Sequence, residues 1–65
     1  MNLIVNGAEH DLAAATLAEA LDRLDYAGRV VATALNGRFV PARLRATTAL
    51  AEGDAIEILA PLQGG

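Results

Sequence analysis

The residues whose chemistry is easiest to interpret are the last two of the sequence, Gly64 and Gly65. Glycine has no Cβ, so a Gly-Gly end fits through a channel too narrow for any other dipeptide. Such an end presents the α-carboxylate, a reactive group that needs no side chain. An apolar, strand-like run over residues 54–59 leads towards it. The pattern indicates that the terminal carboxylate is the functional site; the alternative is a frayed end or a cloning remnant without function.

The side chains suggest no catalytic site. His10 is the single histidine and has no nucleophile near it in the sequence, so an ordinary packed or surface histidine is expected. Glu9 and Asp11 lie two residues apart and are better explained as solvated edge charges than as an acid–base pair. Without cysteine the chain has no disulfide or thiolate metal site, and its glycines form no phosphate-binding loop. We therefore expect a protein that is not an enzyme and binds neither metal nor cofactor.

Size and charge narrow the classes of partner. Sixty-five residues make one small domain, with 54% hydrophobic residues to form its core. Five arginines, no lysine and eight acidic residues give a net charge of −3, which argues against nucleic-acid binding. No apolar run approaches the roughly 20 residues that span a bilayer, and the N-terminus does not resemble a secretory signal. We expect no membrane partner, and the lack of cysteine fits the cytoplasm.

Two Asn-Gly dipeptides, Asn6-Gly7 and Asn36-Gly37, predict type I′ turns and therefore two β-hairpins. The hairpins join predicted strands at 2–5 and 8–12, and at 30–35 and 38–40. Residues 30–35 are a continuous apolar run, which indicates a strand buried in the middle of a sheet. Pro41 lacks an N–H and ends the strand before it, and 42–49 is expected to be irregular with about one helical turn.

The clearest helix is predicted over 16–24. Thr16 and Glu19 have the spacing of a capping box, in which side chains bind the first free N–H groups. Gly28 is expected to end the helical segment in a left-handed conformation. The apolar stripe of the helix repeats at helical spacing and comprises Leu17, Ala20, Leu21 and Leu24.

A last strand beginning at Asp54 completes the order β-β-α-β-β-β. Two hairpins and one helical crossover in about 60 residues predict an α+β fold of the ubiquitin-like β-grasp type. In this fold the helix packs across a mixed sheet, and the first and last strands are parallel neighbours. We expect a β-grasp domain over 1–60 and a flexible Gly-Gly tail over 61–65.

A docking surface is predicted beside the tail. If Ile56 and Ile58 face the helix, Leu59 points outward, and Leu62 beyond the strand is expected to be exposed as well. Together with Phe39 they would form a partner-binding patch, which we favour over incidental exposure. Arg38, Arg43 and Arg45 either rim this patch or are merely solvated.

The complete pattern resembles the thiamine-pathway sulfur carrier proteins, the ThiS family, over essentially the whole chain. The similar motifs are Asn36-Gly37, Phe39-Val40-Pro41, Leu50-x-x-Gly53-Asp54-x-Ile56-Glu57-Ile58 and Pro61-Leu62-Gln63-Gly64-Gly65. Each is weak alone, but their order and spacing are jointly specific. One departure concerns the basic residue that often follows Val-Pro in the family. Here Ala42 stands before Arg43, which leaves the role of Arg43 open.

The resemblance implies that Gly65 is the site of covalent modification and that Gly64 keeps the tail narrow. A separate adenylyltransferase of the ubiquitin-activating type would use ATP to adenylate the Gly65 carboxylate. A cysteine desulfurase or another donor would then supply sulfur, and the resulting thiocarboxylate would donate it to thiazole synthase. A tail over 61–65 reaches roughly 15 Å, enough to enter a partner's buried site.

Three other functions stay open at this stage. The nearest is the small-subunit sulfur carrier of molybdopterin synthase, although those chains tend to be longer. A ubiquitin-like modifier would be adenylated in the same way but would form isopeptide bonds with lysines of other proteins. A plain interaction domain with a chance Gly-Gly end would not be modified at all.

Overall fold

The computed structural model describes residues 1–61. Its elements are, in chain order, β1 (Asn2–Val5), β2 (Ala8–Asp11), α1 (Leu17–Arg23), β3 (Ala32–Leu35), β4 (Arg38–Val40), a 3₁₀ helix (Ala42–Thr47) and β5 (Ala55–Leu59). The strands form one sheet in the order β2-β1-β5-β3-β4. β1 and β5 are parallel, and the other neighbouring strands are antiparallel. This mixed sheet with one helix confirms the predicted ubiquitin-like β-grasp fold.

Both hairpin turns have the predicted geometry. The φ angles are 50° and 84° at Asn6 and Gly7, and 51° and 83° at Asn36 and Gly37. Two successive positive φ angles define the type I′ turn, whose twist matches that of the flanking strands. Asparagine and glycine are the residues that tolerate this conformation most readily, so these local sequences specify the two hairpins.

The N-terminus of α1 is capped by the two residues that the sequence indicated. The Thr16 hydroxyl accepts a hydrogen bond from the Glu19 N–H at 3.3 Å. In return, the Glu19 carboxylate accepts from the N–H of Ala15 at 2.7 Å, one residue earlier than in a standard capping box. The pair therefore stabilises both the first turn of the helix and the chain that enters it.

The predicted end of the helix at Gly28 is wrong. Asp25, with φ 65°, is the left-handed residue that terminates α1. The N–H of Tyr26 donates to the carbonyl of Leu21 at 2.8 Å, and the N–H of Asp25 donates to that of Asp22 at 3.2 Å. These two bonds form a Schellman motif, which satisfies helix carbonyls that would otherwise lack partners. Gly28 has a positive φ of 78° but lies in the following turn.

The expectation that 30–35 forms one fully buried strand is also wrong. β3 contains only Ala32–Leu35, and Val30 is 80% exposed. The strand is interior in the sheet, between β5 and β4, but α1 covers one face of the sheet only. Thr33 on the covered face is 2% exposed, whereas Ala32 on the other face is exposed.

The hydrophobic core lies between α1 and the covered face of the sheet. It combines alternate residues of β1 and β5 with the apolar stripe of the helix and with residues of the connecting segments. Its buried members are Leu3, Val5, Ala14, Leu17, Ala20, Leu21, Val40, Leu50, Ile56 and Ile58. Within residues 1–61, no helix has the length and apolar character that crossing a membrane would require.

Candidate functional site

The sheet face opposite α1 presents apolar side chains to solvent beside the end of β5. Alternation along β5 is as predicted: Ile56 and Ile58 are 1% and 7% exposed in the core, and Leu59 is 72% exposed on the other face. Because β5 is the central strand, its last outward residue is flanked by neighbouring strands. Leu59 therefore stands in an extended surface and not at the edge of the sheet.

Phe39 belongs to the same face. In the strand register Phe39 lies opposite Ala34, and Leu59 lies opposite Ala32. Ala32 and Ala34 are two residues apart on β3, so all four side chains lie on one face. The two small alanines leave a shallow depression of about 180 Å³ between Phe39 and Leu59. Phe39 is 70% exposed, which agrees with its predicted place in a surface patch.

A second depression lies on the other side of Leu59. It has a volume of about 290 Å³, and its lining includes Val30, Val31 and Pro61. Leu59 and Ala32 line both depressions, so the two form one continuous apolar surface. We call this surface the outer patch; it comprises Val30, Ala32, Ala34, Phe39, Leu59 and Pro61.

Two places were expected for the arginines, either around the outer patch or merely in solvent. The structure does not place them around the outer patch. Arg38 lies opposite Leu35 and alternates with Phe39, which places it on the α1 side of β4. Arg45 is turned towards β3, where its Nε donates to the Thr33 hydroxyl at 3.0 Å. Arg43 is exposed on the 3₁₀ helix, which packs beside α1. A charged residue that does lie beside the patch is Glu57, which lines the smaller depression.

Three predicted site residues, Leu62, Gly64 and Gly65, lie outside the described residues, which end at Pro61. The structure thus brings Phe39 and Leu59 together on the sheet, and the roles of these two and of the tail residues stay predictions. In the described part of the chain, no group of three or more His, Asp or Glu side chains is arranged to hold a metal ion.

The sequence predicts Asn6 and Asn36 only as turn residues, but the structure gives both side chains a second role. The Asn6 side chain accepts from the N–H of Ile58 at 2.8 Å and donates to the carbonyl of Ile58 at 3.1 Å. The Asn36 side chain accepts from the N–H of Ala55 at 2.9 Å. Each hairpin turn therefore holds the backbone of β5, one at its start and the other near its end. The sequence did contain a signal for these contacts, because an asparagine side-chain amide has a donor and an acceptor that the turn itself does not use.

The chain matches the model of the ThiS family over residues 3–65. It is similar to the crystal structure of a thiamine biosynthesis protein (ThiS) from Geobacter metallireducens, with 33% identity, a TM-score of 0.82 and full coverage of both chains. An NMR solution structure of a thiamine biosynthesis protein from the same organism also matches, with 33% identity and a TM-score of 0.81. That match covers 100% of this chain and 88% of the other. A comparison with curated proteins gives no match.

Proposed function

The chain belongs to the ThiS family, and we propose that it is a sulfur carrier of thiamine biosynthesis whose reactive group is the carboxylate of Gly65. The observation that carries the proposal is the extent of the family match, which runs through residue 65 and includes the Gly-Gly end. The matching solved structure, similar over its full length, is itself described as a thiamine biosynthesis protein. The domain supplies the scaffold, and residues 61–65 supply the arm.

The chemistry begins with activation of a poor electrophile. A carboxylate oxygen of Gly65 attacks the α-phosphorus of ATP on a separate adenylyltransferase of the ubiquitin-activating type, and pyrophosphate leaves. The acyl-adenylate now carries AMP as a leaving group. The terminal sulfur of a persulfide, formed by a cysteine desulfurase or another donor, attacks the carbonyl carbon and displaces AMP, which leaves an acyl disulfide. A thiol of a partner then cleaves the S–S bond and becomes part of a disulfide, and the released thiocarboxylate donates its sulfur to thiazole synthase for the thiazole ring.

The amino-acid composition suits a carrier whose reactions are catalysed by partner enzymes. The sequence contains no cysteine, so a thiol of this chain cannot be the attachment point for sulfur. It contains no lysine either, so no side-chain amine can capture the activated glycine within the molecule. We therefore assign the reacting atoms of this chain to the terminal carboxyl group and the catalytic groups to the partners, in the cytoplasm.

The outer patch is the proposed docking surface for the adenylyltransferase. Leu59 and Phe39 are more than two-thirds exposed, as is Val30 of the same patch, whereas every other large apolar side chain within residues 1–61 is at most 41% exposed. Leu59 is six residues before Gly65, so a partner that binds the patch holds the arm close to its own active site. Large exposed apolar side chains beside a small depression are the usual anchors of a protein interface.

Intact-mass spectrometry tests the proposal. The protein is incubated with ATP, the adenylyltransferase of the same cell and a sulfur source. A sulfur carrier gains the mass difference between one sulfur and one oxygen atom, and a chain lacking Gly65 gains nothing. Omitting ATP is the matched control, since the carboxylate then stays unactivated.

Other outcomes of this experiment would contradict the proposal. Stable amide adducts to other proteins identify a ubiquitin-like modifier, and an unchanged mass under every condition identifies a plain interaction domain. Sulfur transfer to a molybdopterin precursor, with none to the thiazole synthase of the same cell, identifies the small subunit of molybdopterin synthase. Sulfur transfer to thiazole synthase supports the thiamine assignment.

A further inference from the structure

The backbone of β1 leaves the sheet before β5 ends. Their parallel register pairs Ile4 with Ala55 and Val5 with Ile56, and the chain then turns at Asn6. The backbone N–H of Asn6 still donates to the carbonyl of Ile56 at 2.9 Å. Ile58, the next residue of β5 whose backbone groups point towards β1, therefore lies beyond the last backbone partner that β1 offers.

The Asn6 side chain provides the hydrogen bonds to Ile58 that the β1 backbone no longer supplies. Its Oδ1 accepts from the N–H of Ile58 at 2.8 Å, and its Nδ2 donates to the carbonyl of the same residue at 3.1 Å. A strand that continued past Val5 would supply the same two groups, one donor and one acceptor. Only an amide combines both at this length, and asparagine also tolerates the φ of 50° that the turn requires.

These bonds are the last on the β1 side of the strand before the arm begins. On the other side, the last pair of the ladder joins Leu59 to Ala32. Ala60 and Pro61 follow outside the strand, and proline has no N–H to extend a ladder. The direction in which the chain leaves the sheet is thus set by two neighbouring attachments, at Ile58 and at Leu59.

We propose that Asn6 is a positioning residue that sets how Gly65 is presented to the adenylyltransferase; this inference rests on the proposed function. Gly65 is seven residues after Ile58, a reach of about 23 Å when extended. Releasing Ile58 removes the last attachment on the β1 side, so the direction in which the chain leaves β5 at Leu59 and Ala60 is less well defined. Displacing a reacting group by about 1 Å lowers the rate by up to about a hundredfold. The direction in which the chain leaves β5 therefore affects the rate of the chemical step.

The chain contains a matched control. Asn36 occupies the same position of the same turn type with nearly the same φ, 51°. Its side chain also binds β5, accepting from the N–H of Ala55 and donating to Asp54 Oδ1 at 3.0 Å. These bonds hold the start of the strand, at the end away from the arm. Asn6→Gly and Asn36→Gly therefore remove similar bonds from similar turns, and glycine tolerates both backbone conformations.

The test is steady-state adenylation, measured as ATP-dependent release of pyrophosphate with the carrier as the varied substrate. Asn6→Gly is expected to lower kcat about tenfold with little change in KM, since the outer patch is intact. Asn6→Asp keeps the turn but sets a second oxygen against the Ile58 carbonyl, and the same loss is expected. Asn36→Gly is expected to stay within about twofold of wild type. Equal losses in Asn6→Gly and Asn36→Gly, or a loss confined to KM, would overturn the proposal.

An NMR measurement separates this inference from the proposed function. Backbone order parameters at Leu59 and Ala60 are expected to fall in Asn6→Gly and to stay unchanged in Asn36→Gly. If the wild-type chain is not adenylated, the proposed function fails, and a selective fall still supports Asn6 as the residue that orients the end of β5. Unchanged order parameters in Asn6→Gly would overturn the positioning role whatever the activity.

Discussion

Arg45 binds Thr33 through a hydrogen bond of 3.0 Å from its Nε to the threonine hydroxyl, and this contact ties the 3₁₀ helix to the sheet. A second donor of the same guanidinium binds the carbonyl of Val31 at 2.6 Å, immediately before β3. The Thr33 hydroxyl in turn donates to the carbonyl of Val40 at 2.8 Å. Arg45 thus binds β3, which carries Ala32 and Ala34 of the outer patch, and Thr33 extends the connection to β4, which carries Phe39.

Removing this arginine should destabilise the fold. Arg45→Ala leaves the carbonyl of Val31 and the hydroxyl of Thr33 without their charged donor, and hydrogen bonds to charged groups are worth about 1.5–3 kcal/mol. We expect the free energy of unfolding in urea to fall by about that amount. Arg43→Ala, two residues away and exposed, should change it by less than about 0.5 kcal/mol. Equal losses in the two variants would contradict the structural role of Arg45.

The left-handed residue at the end of α1 offers a stabilising substitution. Asp25→Gly relieves the steric cost of a positive φ, whereas Asp25→Ala keeps a Cβ and loses the tolerance that aspartate has for this conformation. Both variants remove the same negative charge from the helix C-terminus, so their difference isolates the backbone effect. We expect the glycine variant to be more stable than the alanine variant by about 1 kcal/mol in chemical denaturation. The opposite order would show that Gly28, and not Asp25, ends the helix.

A mutation in the outer patch should weaken partner binding without destabilising the core. Leu59→Asp is expected to weaken binding to the adenylyltransferase about tenfold or more, because an exposed apolar anchor is replaced by a charge. Its melting temperature should hardly change, since Leu59 is 72% exposed. Ile4→Asp, on the same face but on β1, is the control that should bind normally. Extensive unfolding of Leu59→Asp in thermal denaturation would show that Leu59 is part of the core.

Truncating a buried apolar side chain of α1 should instead lower the stability of the fold. Leu21 is 5% exposed in the core, so Leu21→Ala is expected to cost about 2–5 kcal/mol of stability. Leu24→Ala, at the half-buried end of the stripe, should cost less. Calorimetric or urea unfolding measures both, and a loss below about 1 kcal/mol at Leu21 would contradict its place in the core.

Most of the fold was predictable because its signals are local. The Asn-Gly turns, the Thr16 cap and the alternation along β5 each depend on a few neighbouring residues, and the structure confirms them. The end of the helix was misplaced because glycine is the commonest left-handed residue, and here aspartate has that role. The 30–35 run was misjudged because apolar composition does not reveal that one face of a sheet has no helix on it.

By itself, the sequence determined the fold class, the family resemblance and the outward direction of Leu59, since these follow from short-range pattern and spacing. Tertiary structure alone decided which groups meet: Phe39 with Leu59 across β3, Arg45 with Thr33, and Asn6 with Ile58, 52 residues away. The physical reason is that a side-chain amide or an exposed ring acquires its partner only when strands distant in the chain become neighbours in the sheet. Local sequence shows what each group can bind, and the topology determines what lies within its reach.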